Sequence, residues 1–282
     1  MKTNTQEKTI VYQPTSLTEM QTLLKNNQQI LPLAACTEFL QGQPELSFSL
    51  PKYLVSLLNL KELQDVNKTE RYLDLGAMVT LERILELGEK NIPPLLYSSV
   101  RTIASKNLRT LATLGGNIAI THNSKTLYPV MISLDTRVEI KTGTETFWEP
   151  YSKYASDDFK NLRSKPHVIT RVRIYTENWT HNFFYRLGKK GLLDNKTAYF
   201  IFLVKVQKNL ITDIRISFTD KTFYRSREFE DTILGRTIPF DKKDIAQIIE
   251  TSKKFFTSEH FDEKFKKLIF FNLLEKCLLD LK

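Results

Sequence analysis

The run Thr113-Leu114-Gly115-Gly116-Asn117 is where this chain could most plainly hold a ligand. Adjacent glycines lack the Cβ that would keep a ligand away, so backbone N–H groups can close on a phosphate there. Arg101, Lys106 and Arg109 set positive charge just upstream, which suits an anion. Leu96, Val100 and Ala104 recur at helical spacing after Pro93-Pro94, so an apolar helix leads towards the glycine turn. A glycine pair also punctuates many ordinary loops, so it needs company. The stretch Leu33-Ala34-Ala35-Cys36-Thr37-Glu38 supplies it: a loop of small residues after a short apolar run, at the kind of strand end where parallel α/β sheets bind ligands.

Other chemistry is scarce. With only Cys36 and Cys277, the chain has no disulfide framework and no metal-binding cysteine spacing. An iron–sulfur cluster takes about four cysteines, so this chain cannot carry one alone. His122, His167, His181 and His260 are scattered with no i, i+4 pair, which argues against a metal site. Cys36 has no neighbouring histidine to activate it and reads as a small packed residue, so no side chain is assigned as catalytic. An excess of 41 Lys+Arg over 32 Asp+Glu favours anionic partners, yet the basic residues are dispersed and match no nucleic-acid-binding motif. The start, Met1 to Lys8, is polar, and the longest apolar run, near Tyr199 to Val204, falls far short of the roughly twenty residues of a membrane helix. These features describe a soluble, cytoplasmic protein with no membrane span.

The elements that would position the two loops follow from periodicity. Ile10 to Tyr12 reads as a strand. Ser16-Leu17-Thr18-Glu19 has capping-box spacing, and Leu17, Met20, Leu23 and Leu24 form one helical stripe. Ile30 to Ala34 completes a β-α-β unit in which Pro32 points to an edge or strand-start position. Leu54 to Leu57 adds a strand, Asp65-Val66 and Tyr72 to Leu75 a hairpin, and Thr80 caps a helix stopping at Gly88. Tyr128 to Leu134 reads as a helix, Arg137 to Lys141 and Glu145 to Trp148 as a hairpin around Gly143, and Val168, Val172 and Ile174 mark another strand. A boundary falls in the polar stretch Tyr175 to Asn182. Beyond it come three strands, 183–187, 198–206 and 213–218, with a turn at Lys208-Asn209, and then helices, one capped by Asp241 and one carrying Phe261, Phe265, Leu268, Leu274, Leu278 and Leu281.

In this order the segments resemble the FAD-binding medium subunit of molybdenum hydroxylases, the flavoprotein family of xanthine dehydrogenase and carbon monoxide dehydrogenase. The resemblance rests on Pro14-Thr15-Ser16-Leu17, Leu33 to Glu38, Leu73-Asp74-Leu75-Gly76-Ala77, Ile103-Ala104-Ser105, Leu108-Arg109, Thr113 to Ala119, Pro129, Leu134-Asp135 and Phe184-Tyr185-Arg186-Leu187-Gly188. It implies an α+β fold: a two-lobed α/β FAD-binding domain of the PCMH/vanillyl-alcohol-oxidase type, then a C-terminal domain of a three-stranded antiparallel sheet with helices. On that pattern residues 1–178 form the FAD domain, with lobes of about 9–60 and 61–178, and 179–282 form the second domain. The resemblance assigns Ala35, Cys36 and Thr37, as backbone N–H or hydroxyl donors, to the FAD diphosphate, flanked by Leu33, Ala34 and Glu38. Gly115, Gly116 and Asn117, with Thr113 and Leu114, would approach from the other side. Ile103 matches a residue against the isoalloxazine, and Arg186 matches a basic residue near the flavin.

The resemblance also implies partner chains, since the iron of the reaction must sit elsewhere: an iron–sulfur subunit with two-iron two-sulfur clusters and a molybdopterin-bearing subunit. Electrons would pass through FAD to NAD+ or another acceptor, although no G-x-G-x-x-G pattern is present. Two departures stand out. The first loop carries Ala35-Cys36 where relatives place two glycines, and Thr126 stands where relatives place an aspartate. These motivate two alternatives: a flavin-free paralogue kept as an assembly module, and a stand-alone flavoenzyme.

Overall fold

The computed structural model describes residues 8–41, 50–122, 124–188 and 197–282; most of the polar start, residues 1–7, lies outside them. The strands are β1 (Ile10–Tyr12), β2 (Leu31–Leu33), β3 (Tyr53–Ser56), β4 (Val66–Lys68), β5 (Tyr72–Gly76), β6 (Arg137–Thr142), β7 (Thr146–Pro150), β8 (His167–Tyr175), β9 (His181–Leu187), β10 (Ala198–Gln207), β11 (Leu210–Thr219) and β12 (Phe223–Arg225). The helices are α1 (Leu17–Asn26), α2 (Thr37–Gln41), α3 (Leu81–Glu86), α4 (Pro94–Val100), α5 (Lys106–Arg109), α6 (Leu114–Ile118), α7 (Leu127–Ser133), α8 (Tyr151–Ala155), α9 (Lys160–Arg163), α10 (Arg227–Asp231), α11 (Lys242–Phe255) and α12 (Lys264–Leu279). Their contacts divide the chain into two units. The first comprises Met1–Leu87, Ser105–Thr121 and Leu134–Thr176, and the second Gly88–Ala104, His122–Ser133 and Glu177–Lys282.

The first unit holds two sheets. In the parallel one the order is β1-β3-β2, so β3 fills the place between the strands of the β-α-β unit. Pro32 sits on edge strand β2, where its missing N–H leaves no gap in the ladder. Helix α1 starts where the Ser16 hydroxyl accepts from the Glu19 N–H at 3.2 Å while the Glu19 carboxylate reaches back to the Thr15 N–H at 2.9 Å. It buries Met20 and Leu24 against Val55, Leu57 and Met78. The other sheet is antiparallel, ordered β4-β5-β8-β6-β7. At the end of β5 the chain crosses itself so closely that a Cβ on Gly76 would lie 2.2 Å from the Leu63 carbonyl oxygen. Only glycine fits there.

The second unit is built on an antiparallel sheet of four strands, β12-β11-β10-β9, not the expected three. The fourth strand, β12, pairs over only three residues, too few for alternation to show in a sequence. Lys208 and Asn209 join β10 to β11 with φ of +50° and +62°, the left-handed pair that a tight two-residue hairpin requires. Residues 198–204 of β10 are fully buried because both sheet faces are covered. On one face Phe200 and Phe218 each stand 5.6 Å from Phe270 of α12, which stacks on Phe256 at 4.3 Å. On the other the alternation continues as Arg215, Ser217 and Thr219, all buried. Helix α7 meets them with polar groups: Ser133 Oγ lies 3.1 Å from Ser217 Oγ, and the Arg215 guanidinium donates to the Ser133 carbonyl at 2.6 Å.

Candidate cofactor-binding site

The first loop leaves β2 at Leu33, whose carbonyl accepts from the Leu57 N–H at 2.9 Å. Cys36 then takes φ of +59°, the left-handed conformation that costs an L-residue about 1–2 kcal/mol, and α2 begins at Thr37. Among the described residues, no acceptor takes the N–H of Ala35, Cys36 or Thr37. The Cys36 thiol is half-buried, 3.9 Å from the Ala34 carbonyl, and burial pushes its pKa up, so it stays protonated and is a poor nucleophile. Replacing Cys36 with glycine relieves the left-handed strain but loosens the unfolded chain by about 0.5–1 kcal/mol. The expected net gain is about 0.5–1 kcal/mol in urea unfolding; a clear loss would mean that the thiol's packing matters more than the backbone.

The second loop is differently built from the expectation. Gly115 and Gly116 lie inside short helix α6 with ordinary backbone angles, and their role is close approach. A Cβ on Gly115 would stand 2.6 Å from the Ala77 Cβ and 2.9 Å from its carbonyl oxygen. One on Gly116 would stand 2.9 Å from Thr113 Oγ1 and 3.6 Å from the Ala34 Cβ, so the two loops face each other directly. Two of the three N–H donors expected to meet a phosphate are committed: Gly115 donates to Ala77 at 2.8 Å and Asn117 to Thr113 at 3.0 Å. The Gly116 N–H goes instead to the Thr113 hydroxyl at 3.1 Å, a bond that an anion could replace. Asn117 Oδ1 is buried with no hydrogen-bond partner, a cost of about 1–3 kcal/mol that a ligand hydroxyl or amine would remove.

Ala34, Gly115 and Gly116 line one crevice of about 380 Å³ whose apolar walls include Leu57, Met78, Val168 and Ile169. Its rim carries Tyr154, Arg163, Lys165 and His167, none of which the sequence reading singled out as site residues. The available signal was the basic run Arg163-Ser164-Lys165-Pro166-His167 just before β8. His167 Nδ1 lies 2.8 Å from the Lys165 carbonyl and therefore carries the proton, leaving Nε2 to accept from the Tyr154 hydroxyl at 3.0 Å. Arg163 donates to the carbonyls of Tyr154 and Ser156. Burial pushes the Tyr154 hydroxyl up to about 12 and lowers the His167 pKa below its ordinary 6.5. A histidine depressed in the folded state binds its proton more readily when unfolded, so stability is full above pH 6.5 and falls as pH drops towards the folded-state pKa. Thermal unfolding from pH 7.5 down to pH 5 is expected to show this loss, and His167→Gln to flatten it; an unchanged slope in the variant would contradict it.

Glu38 lies in α2 of the first unit, whereas Ile103 and Arg186 belong to the second. Ile103 is buried, and Arg186 stands on β9 opposite Tyr199. Helix α4 ends at Val100 rather than running to Ala104, because the chain closes on shorter turns, Thr102 to Ser99 and Ile103 to Val100, and Ala104 takes φ of +45°. Ser105 then caps a new helix. Thr126 is buried, its hydroxyl 3.2 Å from the Tyr199 hydroxyl. In the first unit Arg109 ion-pairs with Glu82 at 2.8 Å, so its charge is neutralised locally. No group of residues suited to a metal ion occurs among the described residues.

Two facing small-residue loops, backbone donors that no described acceptor takes and an orphaned amide oxygen together outline a site able to hold a ligand that both accepts and donates hydrogen bonds. Residues 4–175 match the family described as the FAD binding domain in molybdopterin dehydrogenase, and the chain belongs to it. It is 23% identical to the glyceraldehyde dehydrogenase medium chain of Sulfolobus acidocaldarius over 241 residues, covering 84% of this chain and 85% of that one. It is 21% identical to the carbon monoxide dehydrogenase medium chain of Hydrogenophaga pseudoflava, covering 79% of each. Its fold is shared with a chain of the carbon monoxide dehydrogenase structure from that organism, with a TM-score of 0.78 at 18% identity and 95% coverage of each. Quinoline 2-oxidoreductase from Pseudomonas putida 86 gives 0.77 at 19% identity, covering 97% of this chain and 96% of that one.

Proposed function

We propose that this chain is the FAD-carrying electron-transfer subunit of a molybdenum hydroxylase of the xanthine dehydrogenase type. In this reading it takes electrons from an iron–sulfur partner, beside a molybdopterin-bearing subunit, and delivers them to NAD+ or another acceptor. The observation that carries the reading is the close facing of Ala34 and Gly116 across one crevice. Bound FAD supplies the redox chemistry, taking electrons singly and releasing a pair. The chain's own residues bind and orient it. The Ala35, Cys36 and Thr37 N–H groups and the Thr37 hydroxyl donate to the diphosphate from one loop. From the other, Gly116 and the Asn117 amide do so. The apolar crevice wall excludes water and strengthens these bonds. Ile103 and Arg186 contact the flavin, and Thr37-Glu38 supports the xanthine-dehydrogenase-like assignment. Residues 1–178 hold the cofactor and 179–282 form the second domain. A cytoplasmic setting fits a chain in which no helix among the described residues is long and apolar enough to cross a membrane.

The left-handed Cys36 favours a second reading, an assembly module that has given up its flavin. A visible absorption spectrum separates the two. Flavin bands in the purified protein, or their appearance after adding FAD, support the first; a colourless protein that takes up no FAD overturns it. Co-purification with an iron-bearing, cysteine-rich chain distinguishes the subunit from a stand-alone flavoenzyme.

A further inference from the structure

Helix α6 carries Gly115, Gly116 and Asn117 within the short span Leu114–Ile118, too few residues to hold a helical shape in water unaided. Its entrance is fixed by backbone: the Leu114 N–H donates to the Val79 carbonyl at 2.9 Å and the Gly115 N–H to the Ala77 carbonyl at 2.8 Å. Its exit needs an outside donor, because the last carbonyls of a helix have no intrahelical N–H to accept from. The Tyr151 hydroxyl supplies one, donating to the Ile118 carbonyl at 3.0 Å from 33 positions further along the chain. Tyr151 opens α8, is fully buried, and is itself held in place. Its N–H donates to the Thr136 carbonyl at 2.8 Å, and its ring stacks on Tyr154 with centroids 6.0 Å apart and planes at 29°. Tyr154 in turn donates to His167 Nε2 at 3.0 Å on the crevice rim. Asn117, whose buried Oδ1 has no partner, immediately precedes Ile118, so the anchor at Ile118 sets where that amide sits.

We propose that Tyr151 is a positioning residue of the cofactor site: its hydroxyl holds the exit of α6 and so keeps Gly116 and the Asn117 amide aimed at the ligand. Tyr151 does not line the crevice, so its effect on a ligand passes through α6. The proposal rests on the flavin reading for the identity of the ligand, and on first-unit residues alone for its geometry.

Tyr151→Phe removes the hydroxyl and keeps the ring. In the FAD-free full chain, amide hydrogen exchange read by NMR is expected to quicken about three- to tenfold at Asn117 and Ala119. It should stay unchanged at Leu114 and Gly115, which the Val79 and Ala77 carbonyls hold. FAD affinity, read by fluorescence titration, is expected to fall about three- to tenfold as the site loses its preorganisation. A buried hydrogen bond lost anywhere lowers stability, so Ser217→Ala, which gives up the 3.1 Å contact with Ser133 in the second unit, is the control: a lower unfolding midpoint with FAD affinity unchanged. FAD held as tightly by Y151F as by the parent overturns the proposal and leaves the flavin reading standing, and so does an equal loss of affinity in S217A. No uptake of FAD by the parent overturns the flavin reading, and the exchange measurement then decides the α6 anchor alone: unchanged exchange at Asn117 and Ala119 overturns it. Should Y151F not fold, Tyr154→Phe, which frees the stacked ring from His167, is read by the same measurements with smaller shifts expected in the same direction.

Discussion

Substituting methionine for Lys266 is expected to destabilise the protein by about 3–5 kcal/mol. Lys266 and Asp220 are each 2% exposed and lie 2.6 Å apart, and Asp220 also accepts from the Asp262 N–H at 2.6 Å. Together they tie the end of β11 to the entrance of α12. Without the ammonium, the Asp220 carboxylate stays buried facing a thioether, which is far worse than replacing both charges at once. Urea unfolding of Lys266→Met should therefore show a large fall in midpoint, and the double variant Lys266→Met with Asp220→Leu should recover much of it. A single-variant loss below about 1 kcal/mol would show the pair to be solvated in the native protein.

Gly115→Val is expected to weaken flavin binding while leaving the second unit's core intact. Its Cβ would enter the space of the Ala77 backbone, which cannot give way as a flexible side chain could. The strain of about 1–3 kcal/mol displaces α6 and with it the Thr113 and Asn117 side chains. If the loop shift falls wholly on the ligand, that strain corresponds to roughly 5- to 150-fold in FAD affinity. Gly116→Ala meets only the Thr113 hydroxyl at 2.9 Å and should lose less. Fluorescence titration with FAD checks both, with near-ultraviolet circular dichroism reporting the folded core. Equal losses in the two variants would contradict the packing argument.

Much of this architecture is legible in the residues. Period-two and period-3.6 patterns mark nearly every strand and long helix, and the position of Pro32 at a sheet edge follows from its missing N–H. At Ala35-Cys36, where the resemblance leads one to look for two glycines, Cys36 takes the left-handed backbone conformation. What periodicity cannot show is tertiary. The glycine pair reads as a turn whose N–H groups close on a phosphate, whereas Gly115 is demanded by the Ala77 backbone, a neighbour 38 positions away in sequence that no local pattern reveals. Arg215 and Ser217 alternate with apolar residues as solvent-facing groups would, yet α7 covers them. The crevice rim escaped for a similar reason: Tyr154 and His167 meet only because the segment from α8 through α9 folds back to β8.

The central claim is that backbone and side-chain donors around Ala34–Thr37 and Thr113–Asn117 hold the diphosphate of FAD. Parallel titration of the FAD-free protein with FAD and with riboflavin, which lacks the diphosphate and adenosine, tests it most directly. FAD binding at least about a hundredfold tighter than riboflavin is the expected result, since several charge-assisted hydrogen bonds are at stake. Equal affinity for the two, or no uptake of either at saturating concentration, would contradict it.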